Sequence, residues 1–145
     1  MKATLAKLVV SAALIAFTCS YICAVQVANI TVRNGVLAIP LSVYVDPANV
    51  AAVLLLSTLC FIAARLAVET EVDPHERRAV GAAAALGTLT AVFTSALTSC
   101  YIVYTVYGYT SIFLLFWLII TQFPVIVAVS LALLDVAKEL ERAVS

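Results

Sequence analysis

The chain has 145 residues, of which 65% are apolar, and its mean hydropathy is +1.16. Soluble domains are about 45–50% apolar, and a single core of this size cannot bury so much apolar surface, so the composition excludes an ordinary soluble domain. The formal net charge is zero and the basic residues form no stripe, which argues against nucleic-acid binding. The sequence predicts one all-α integral membrane domain over residues 1–145, a bundle of four transmembrane helices.

The first apolar run, from about residue 5 to 28, is long enough to cross a bilayer core as a helix. Lys2 and Lys7 at its start also fit a signal peptide. We expect a retained helix, because the run is longer than the apolar segment of a usual signal peptide. Small residues at i, i+4 spacing follow one side of this helix and predict close packing against another helix in lipid. They are Ala12, Ala16, Ser20 and Ala24.

The segment 29–45 has a different character. Two short β-prone runs, at 31–33 and 36–37, flank Asn34-Gly35, a dipeptide that favours the positive φ angles of a type I′ hairpin turn. We expect a small β-hairpin on one face of the membrane, with an irregular loop as the alternative. Residues 41–45 are β-prone as well.

Two Asp-Pro pairs mark the next helix starts. Asp is a favoured N-cap, and Pro loses no hydrogen bond at the first helical position. Asp46-Pro47 therefore begins a second span, at about 47–68. Asp73-Pro74 begins a third, at about 74–107, after a short inner loop at 69–73.

The third span carries two adjacent rows of small or hydroxylated residues. Such rows let helices approach closely in lipid, so we expect this span to be the central helix and to pair most closely with the first. The first row is Ala83, Gly87, Ala91, Ser95 and Ser99, and the second is Thr90, Thr94 and Thr98.

The fourth span, at about 110–134, follows a break at Gly108, a residue suited to the position after a helix end. The third and fourth spans should therefore form a tight antiparallel hairpin. Pro124 lies inside the fourth span and is expected to kink it, because its ring clashes with the carbonyl of Ile120. An amphipathic helical tail at 135–145 ends the chain.

The basic residues predict the orientation of these spans. With four spans, only Arg33 lies opposite the side that holds both termini. The positive-inside rule then predicts a multi-pass protein of the cell membrane with both termini cytoplasmic. The six tyrosines fall in the outer half or at the outer interface, where amphipathic rings are preferred. The residues on the cytoplasmic side are Lys2, Lys7, Arg65, Arg77, Arg78, Lys138 and Arg142.

Residues that carry chemistry are scarce. No ionisable residue lies deep in a predicted span, which argues against proton-coupled transport and proton relays. The only histidine, His75, lies at a helix start, so the chain cannot supply two axial ligands to a haem inside the membrane. There is no Ser/His/Asp set, metal-ligand spacing, phosphate loop or Cys-x-x-Cys pair. We therefore expect no catalytic residue, no cofactor, no metal site and no enzymatic activity of its own.

Gln122 is the deepest strongly polar residue, level with Thr94 and Ser95 when counted from the last turn. Because an unpaired amide in hydrocarbon is costly, we expect it to bond to those hydroxyls or to the carbonyl freed by Pro124. Alternatively, Gln122, Pro124, Thr94 and Thr98 line a path for a solute, or Gln122 contacts a partner subunit or cofactor.

The four cysteines are compatible with two interpretations. Cys23 and Cys100 lie at similar depth, so a disulfide between the first and third spans is geometrically possible. The alternative is that all four behave as small apolar residues, as buried cysteines often do.

Two functions from different classes fit these features. The first is a non-catalytic accessory or structural subunit of a larger membrane complex, either energy-converting or part of an envelope. It would pack through the small-residue faces against other membrane subunits or copies of itself. The alternative is a passive channel or facilitator for a small solute, lined by the hydroxyls of the third span and by Gln122.

Overall fold

A computed structural model of the chain describes residues 2–33, 36–68 and 74–144. Over these residues the chain forms six helices and one two-stranded sheet. In chain order the elements are α1 (Lys2–Ala28), β1 (Thr31–Arg33), β2 (Val36–Ala38), α2 (Ser42–Val45), α3 (Pro47–Val68), α4 (Pro74–Tyr107), α5 (Ile112–Thr121) and α6 (Phe123–Val144).

The chain is mostly helical, with a small sheet, as the sequence predicts. α1, α3 and α4 each contain a segment long and apolar enough to cross a membrane, and α5 with α6 forms a fourth if the bent pair counts as one span. The bounds of α3 and α4 coincide with the predicted second and third spans. The predicted fourth span and tail are divided differently, because α6 continues without interruption from the break into the tail.

The four long segments pack as the corners of a square. α1 packs against α3 and α4, and α6 packs against the same two helices. α3 and α4 lie on one diagonal and α1 and α6 on the other, and the diagonal pairs make few contacts. The prediction of a central third span is therefore wrong, because α4 is one corner of the bundle. The expected closeness of α1 and α4 is present, and α1 packs as extensively on α3.

One end of the bundle, the hairpin end, carries the sheet. β1 and β2 pair antiparallel with Thr31 opposite Ala38 and Arg33 opposite Val36, and the predicted turn lies outside the described residues. The β-prone residues 41–45 form the short helix α2 instead of a strand. Pro40 precedes them and has no N–H to donate to a ladder, so the pairing ends before it and the chain turns.

The opposite end, the terminal end, is where α1 begins and α6 ends. Arg65 of α3 lies 3.6 Å from the carboxylate of Asp135 of α6, which joins two neighbouring corners there. Gly81 of α4 lies close to Leu133 of α6, and a Cβ added at Gly81 would be 3.5 Å from a Leu133 methyl group. The predicted cap Asp73 and the side chain of His75 lie outside the described part of the structure.

The distribution of side chains is the reverse of that in a soluble domain. The buried core consists largely of small or weakly polar residues, whereas many large apolar side chains are exposed. Phe113 is 81% exposed, and Phe17 and Leu97 are more than half exposed. Soluble monomers rarely expose apolar area on this scale, whereas helices in lipid pack through small residues and turn large ones outward. The fold is therefore that of a helical bundle suited to a membrane.

Candidate functional site

The fourth corner of the bundle is broken rather than kinked. α5 and α6 are bent by 48° at a break centred on Gln122, whose backbone lies at φ −85° and ψ 6°. Pro124 falls in the first turn of α6, where its missing N–H has no hydrogen bond to lose. The sequence predicts a kink at this proline. The break is the larger distortion, and it turns the side chain of Gln122 into the bundle.

Gln122 is fully buried, with 0% of its surface exposed. Its amide nitrogen donates to the sulfur of Cys23 at 3.0 Å and to the carbonyl of Leu118 at 3.0 Å. Its amide oxygen accepts a hydrogen bond from the Ser95 hydroxyl at 3.2 Å. The depth count predicts a contact with Thr94 or Ser95, and the structure provides Ser95. These contacts join α1, α4 and the break, and we call Gln122 with Cys23, Ser95 and Leu118 the closed amide site.

The predicted solute path is not assembled in the structure. Thr94 and Thr98 are exposed on the outer side of α4, whereas Gln122 points inward to Ser95. Pro124 is exposed and borders a groove on another side of the bundle. The four residues therefore do not share a surface. Adjacent positions on a helix are about 100° apart, and here the side that buries Ser95 and Ala96 leaves Thr94 on the outside.

A second amide lies nearer the hairpin end of the bundle. Gln26 of α1 is only 3% exposed, and its amide oxygen accepts a hydrogen bond from the Thr121 hydroxyl at 3.1 Å. The same hydroxyl is within 3.0 Å of the Leu118 carbonyl. No other hydrogen bond of the Gln26 side chain is present among the described residues. Gln26 and Thr121 thus form an open amide site, in which the NH2 group of Gln26 has no hydrogen-bond partner among the described residues.

The open amide site borders a groove of about 430 Å³ between α1, α2, α3 and the break. At its polar end Asn49 donates from its amide nitrogen to the carbonyl of Val43 at 3.3 Å. Tyr44 also lines the groove and accepts a hydrogen bond from the indole N–H of Trp117. The remaining lining is mostly apolar. It consists of Tyr21, Ile22, Val25, Val50, Val53, Leu54, Ile120 and Pro124.

Tyr44 and Trp117 form an aromatic pair beside the groove. Their ring centroids are 6.0 Å apart and the ring planes are 74° apart, an edge-to-face arrangement. Partial burial raises the pKa of the Tyr44 phenol above its usual value of 10.0, and the hydrogen bond from Trp117 opposes that shift. The phenol is therefore neutral at physiological pH, with its own O–H available as a donor.

The small-residue rows lie differently on the two helices. The row of α1 is exposed throughout its length, and α1 packs inside the chain through another side. The row of α4 is exposed at Ala83, half-buried at Gly87 and Ala91, and buried at Ser95 and Ser99. An i, i+4 row turns by about 40° around the helix at each step, so it passes from the outside to the core. The exposed row of α1 is Ala12, Ala16, Ser20 and Ala24.

All four cysteines are buried free thiols, so the bridge considered between Cys23 and Cys100 is not formed. The two lie in one cluster, and the Cys23 sulfur accepts a hydrogen bond from the Gln122 amide nitrogen. Among the described residues, no group of three or more His, Cys, Asp or Glu is arranged to hold a metal.

Five buried polar residues were not predicted from the sequence: Ser11, Thr18, Gln26, Ser57 and Thr88. Gln26 lies near the end of its span, where the sequence alone does not distinguish a polar side chain inside the bundle from one at the membrane interface. Thr18 is 0% exposed and lies 3.3 Å from the sulfur of Cys60, while its hydroxyl also bonds to the Leu14 carbonyl. Ser57 is 8% exposed, and its hydroxyl has no hydrogen-bond partner within the described structure. A helical projection of the hydroxyl residues against Cys19 and Cys23 would have placed Thr18 inside.

No protein-family model, curated protein or solved structure matches this chain. Its function is therefore inferred from its own geometry, chiefly from the exposed row of α1 and the two amide sites.

Proposed function

We propose that this chain is a multi-pass protein of the cell membrane and acts as a non-catalytic structural subunit of a larger membrane assembly. It spans the bilayer four times, with α5 and α6 together as the fourth span. Its partners are other membrane subunits or further copies of the same chain. An energy-converting complex and an envelope assembly are both hosts of the appropriate kind.

The exposed small-residue row of α1 carries this proposal. Ala12, Ala16 and Ser20 are exposed on the outside of the bundle. In lipid, small residues at i, i+4 spacing allow a second helix to approach closely, and the resulting contact is stabilised by van der Waals packing. A row of this kind on an outer surface is suited to a helix supplied by another chain.

The closed amide site supports a structural role over a channel. Its hydrogen bonds are all made within the protein, so the deepest polar side chain has no free group for a passing solute. The Thr94 and Thr98 hydroxyls lie on the exterior. A channel formed by one copy of the chain would need a polar lining that these residues do not provide.

Orientation follows from the distribution of charge. We propose that the terminal end faces the cytoplasm and that the hairpin end, with Arg33, lies outside. A membrane-impermeant maleimide applied to intact cells should label Arg33→Cys, whereas Lys138→Cys should be labelled only after lysis. The native cysteines are buried and should react little. Labelling with the opposite sidedness would contradict the orientation.

Association through α1 is tested with a matched pair of variants. Ala16→Leu enlarges an exposed residue of the row, and Ala51→Leu enlarges an exposed alanine on α3. Neither substitution meets a buried neighbour, so both variants should fold. After mild-detergent extraction from native membranes, the wild type and Ala51→Leu should migrate with larger subunits or as an oligomer on a native gel. Ala16→Leu should migrate as the free chain.

Two outcomes would overturn the proposal of a structural subunit. One is a wild-type chain that runs as a monomer and carries a measurable activity alone. The other is an Ala16→Leu variant that retains every partner of the wild type, since the row would then be an ordinary lipid-facing surface.

A further inference from the structure

The groove beside the open amide site is graded from polar to apolar along the bundle axis. Gln26 is two residues from the end of α1, and Asn49 and Tyr44 lie at the start of α3 and in α2, so the polar lining is at the hairpin end. Farther from that end, the lining on α1 and α3 is mostly apolar, with Ile22, Val53 and Leu54. A groove that is polar at the hairpin end and apolar farther from it suits an amphipathic molecule that lies along the bundle axis.

The second observation is the state of the Gln26 amide. The residue is only 3% exposed, and the NH2 group of its side-chain amide has no hydrogen-bond partner in the described structure. Leaving such a group unpaired in an apolar environment is unfavourable. Because Gln26 lines the groove, a ligand in the groove can accept a hydrogen bond from this NH2 group.

We propose that the groove binds one glycerophospholipid from the leaflet at the hairpin end. An ester carbonyl of the lipid accepts a hydrogen bond from the Gln26 amide, and the acyl chain below it packs on the apolar lining. Gln26 lies two residues before the end of α1 and Asn49 two residues after the start of α3. In the proposed membrane placement the polar lining is therefore near the ends of these spans, where the ester carbonyls of lipids occur. The volume of about 430 Å³ lies within the range of about 300–1,000 Å³ that small-ligand sites occupy.

This inference rests on the membrane placement in the proposed function and is independent of association through α1. The groove and the small-residue row lie on different sides of α1, so loss of one does not remove the other. A transmembrane helix from a partner is a poorer occupant, because a helix with side chains is about 10–12 Å wide and offers no free carbonyl to the amide along its regular turns.

The test compares two lipids that differ only at the carbonyl. The full chain in detergent is titrated with dioleoyl phosphatidylcholine or with its dialkyl-ether analogue, and bound lipid is counted by native mass spectrometry. One ester lipid should be retained per chain, and the ether analogue should bind about threefold to tenfold more weakly, as loss of one neutral hydrogen bond implies. Gln26→Leu should abolish this preference. In the Gln26→Leu variant the Thr121 hydroxyl still bonds to the Leu118 carbonyl, so the variant should fold.

A second pair of variants tests the groove itself. Val50→Phe fills the groove, whereas Leu55→Phe adds the same ring to an exposed position of α3 outside it. Val50→Phe should lose both lipids, and Leu55→Phe should bind like the wild type. Because both positions are exposed, neither variant should disturb the core.

Several results would overturn the lipid assignment. They are equal binding of ester and ether lipids by the wild type, unchanged binding by Val50→Phe, and displacement of the ester lipid by equimolar decylubiquinone. The last would assign the groove to a quinone. A shift in the oligomeric state of Val50→Phe, with no lipid retained by the wild type, would assign it to a second copy. None of these results bears on the Ala16→Leu experiment, so the two proposals fail separately.

Discussion

Gln122 and Gln26 are chemically identical and lie within one small bundle, yet their surroundings differ. Gln122 at the break is 0% exposed, and both the oxygen and the NH2 group of its side-chain amide make hydrogen bonds, to partners on three segments. Gln26 is 3% exposed and makes one, to the Thr121 hydroxyl, beside an open groove. The first amide is an internal connection between helices, and the second has a group left for something outside the chain.

The difference shows how a polar residue in an apolar bundle can be assigned to structure or to binding. Depth alone does not decide it, since both amides are almost completely buried. What separates them is how many of their hydrogen-bonding groups have a partner within the protein. An amide group without a partner in a low-dielectric environment favours a ligand that supplies the missing hydrogen bond. By this criterion the closed amide site holds the fold together and the open amide site is the candidate for recognition.

The largest expected effect comes from replacing the two amides one at a time with leucine. Gln122→Leu removes the hydrogen bonds to Cys23, Ser95 and Leu118, and should lower the free energy of unfolding by about 1–2 kcal/mol. Gln26→Leu removes a single bond from a hydroxyl that keeps another acceptor, so its cost should stay below about 0.5 kcal/mol. Reversible unfolding of both variants in mixed micelles of dodecyl maltoside and dodecyl sulfate measures the two values.

Equal destabilisation by the two substitutions would remove the distinction between the sites. The reverse order, with Gln26→Leu the more damaging, would mean that the NH2 group of Gln26 has a partner within the chain. Far-UV circular dichroism provides the control, since both variants should retain the helix content of the wild type.

Much of the fold could be predicted because its signals are local. Apolar length places the long helices, Asp46-Pro47 marks the start of α3, and Gly108 ends α4 at φ 80°, where L side chains are unfavourable. The strand register follows from the hairpin pattern around residues 34–35. These features depend on a few neighbouring residues and need no knowledge of tertiary contacts.

The arrangement of the helices and the candidate site depend on which side of each helix faces inward, and this was harder to predict. In lipid both the inner and the outer side of a helix are apolar, so periodicity of hydrophobicity does not separate them. Small residues on α1 therefore predicted a packing side that the structure places outside. The open amide site and the groove beside it were not predicted, because the groove combines α1, α2, α3 and the break, whose angle of 48° the proline alone does not define.

A smaller effect on the free energy of unfolding is expected from replacing two serines, one whose hydroxyl has no partner among the described residues and one whose hydroxyl has a partner. The Ser57 hydroxyl is buried and has no hydrogen-bond partner in the described structure, so Ser57→Ala should raise the unfolding free energy by about 0.5–1 kcal/mol. Ser95→Ala leaves the Gln122 oxygen without a donor and should lower it by a similar amount. Helix propensity changes alike in both, so the same unfolding assay compares them directly. A loss of stability in Ser57→Ala would reveal a partner of that hydroxyl.

The smallest expected effect is spectroscopic and concerns Tyr44 beside the groove. Burial raises the pKa of Tyr44 above 10.0, so the folded state favours the neutral phenol. The corresponding contribution to stability is present below pH 10.0 and is lost as the pH rises through the pKa of the folded state. Tyrosinate accepts excitation energy from tryptophan, and Trp117 is the only tryptophan in the chain. Its fluorescence should therefore include a quenching step with a midpoint above pH 10.0 that Tyr44→Phe removes, while Tyr101→Phe on the outside of α4 leaves it in place. A midpoint at or below 10.0 would mean that water reaches the phenol freely, and the polar end of the groove would then be hydrated rather than reserved for a lipid.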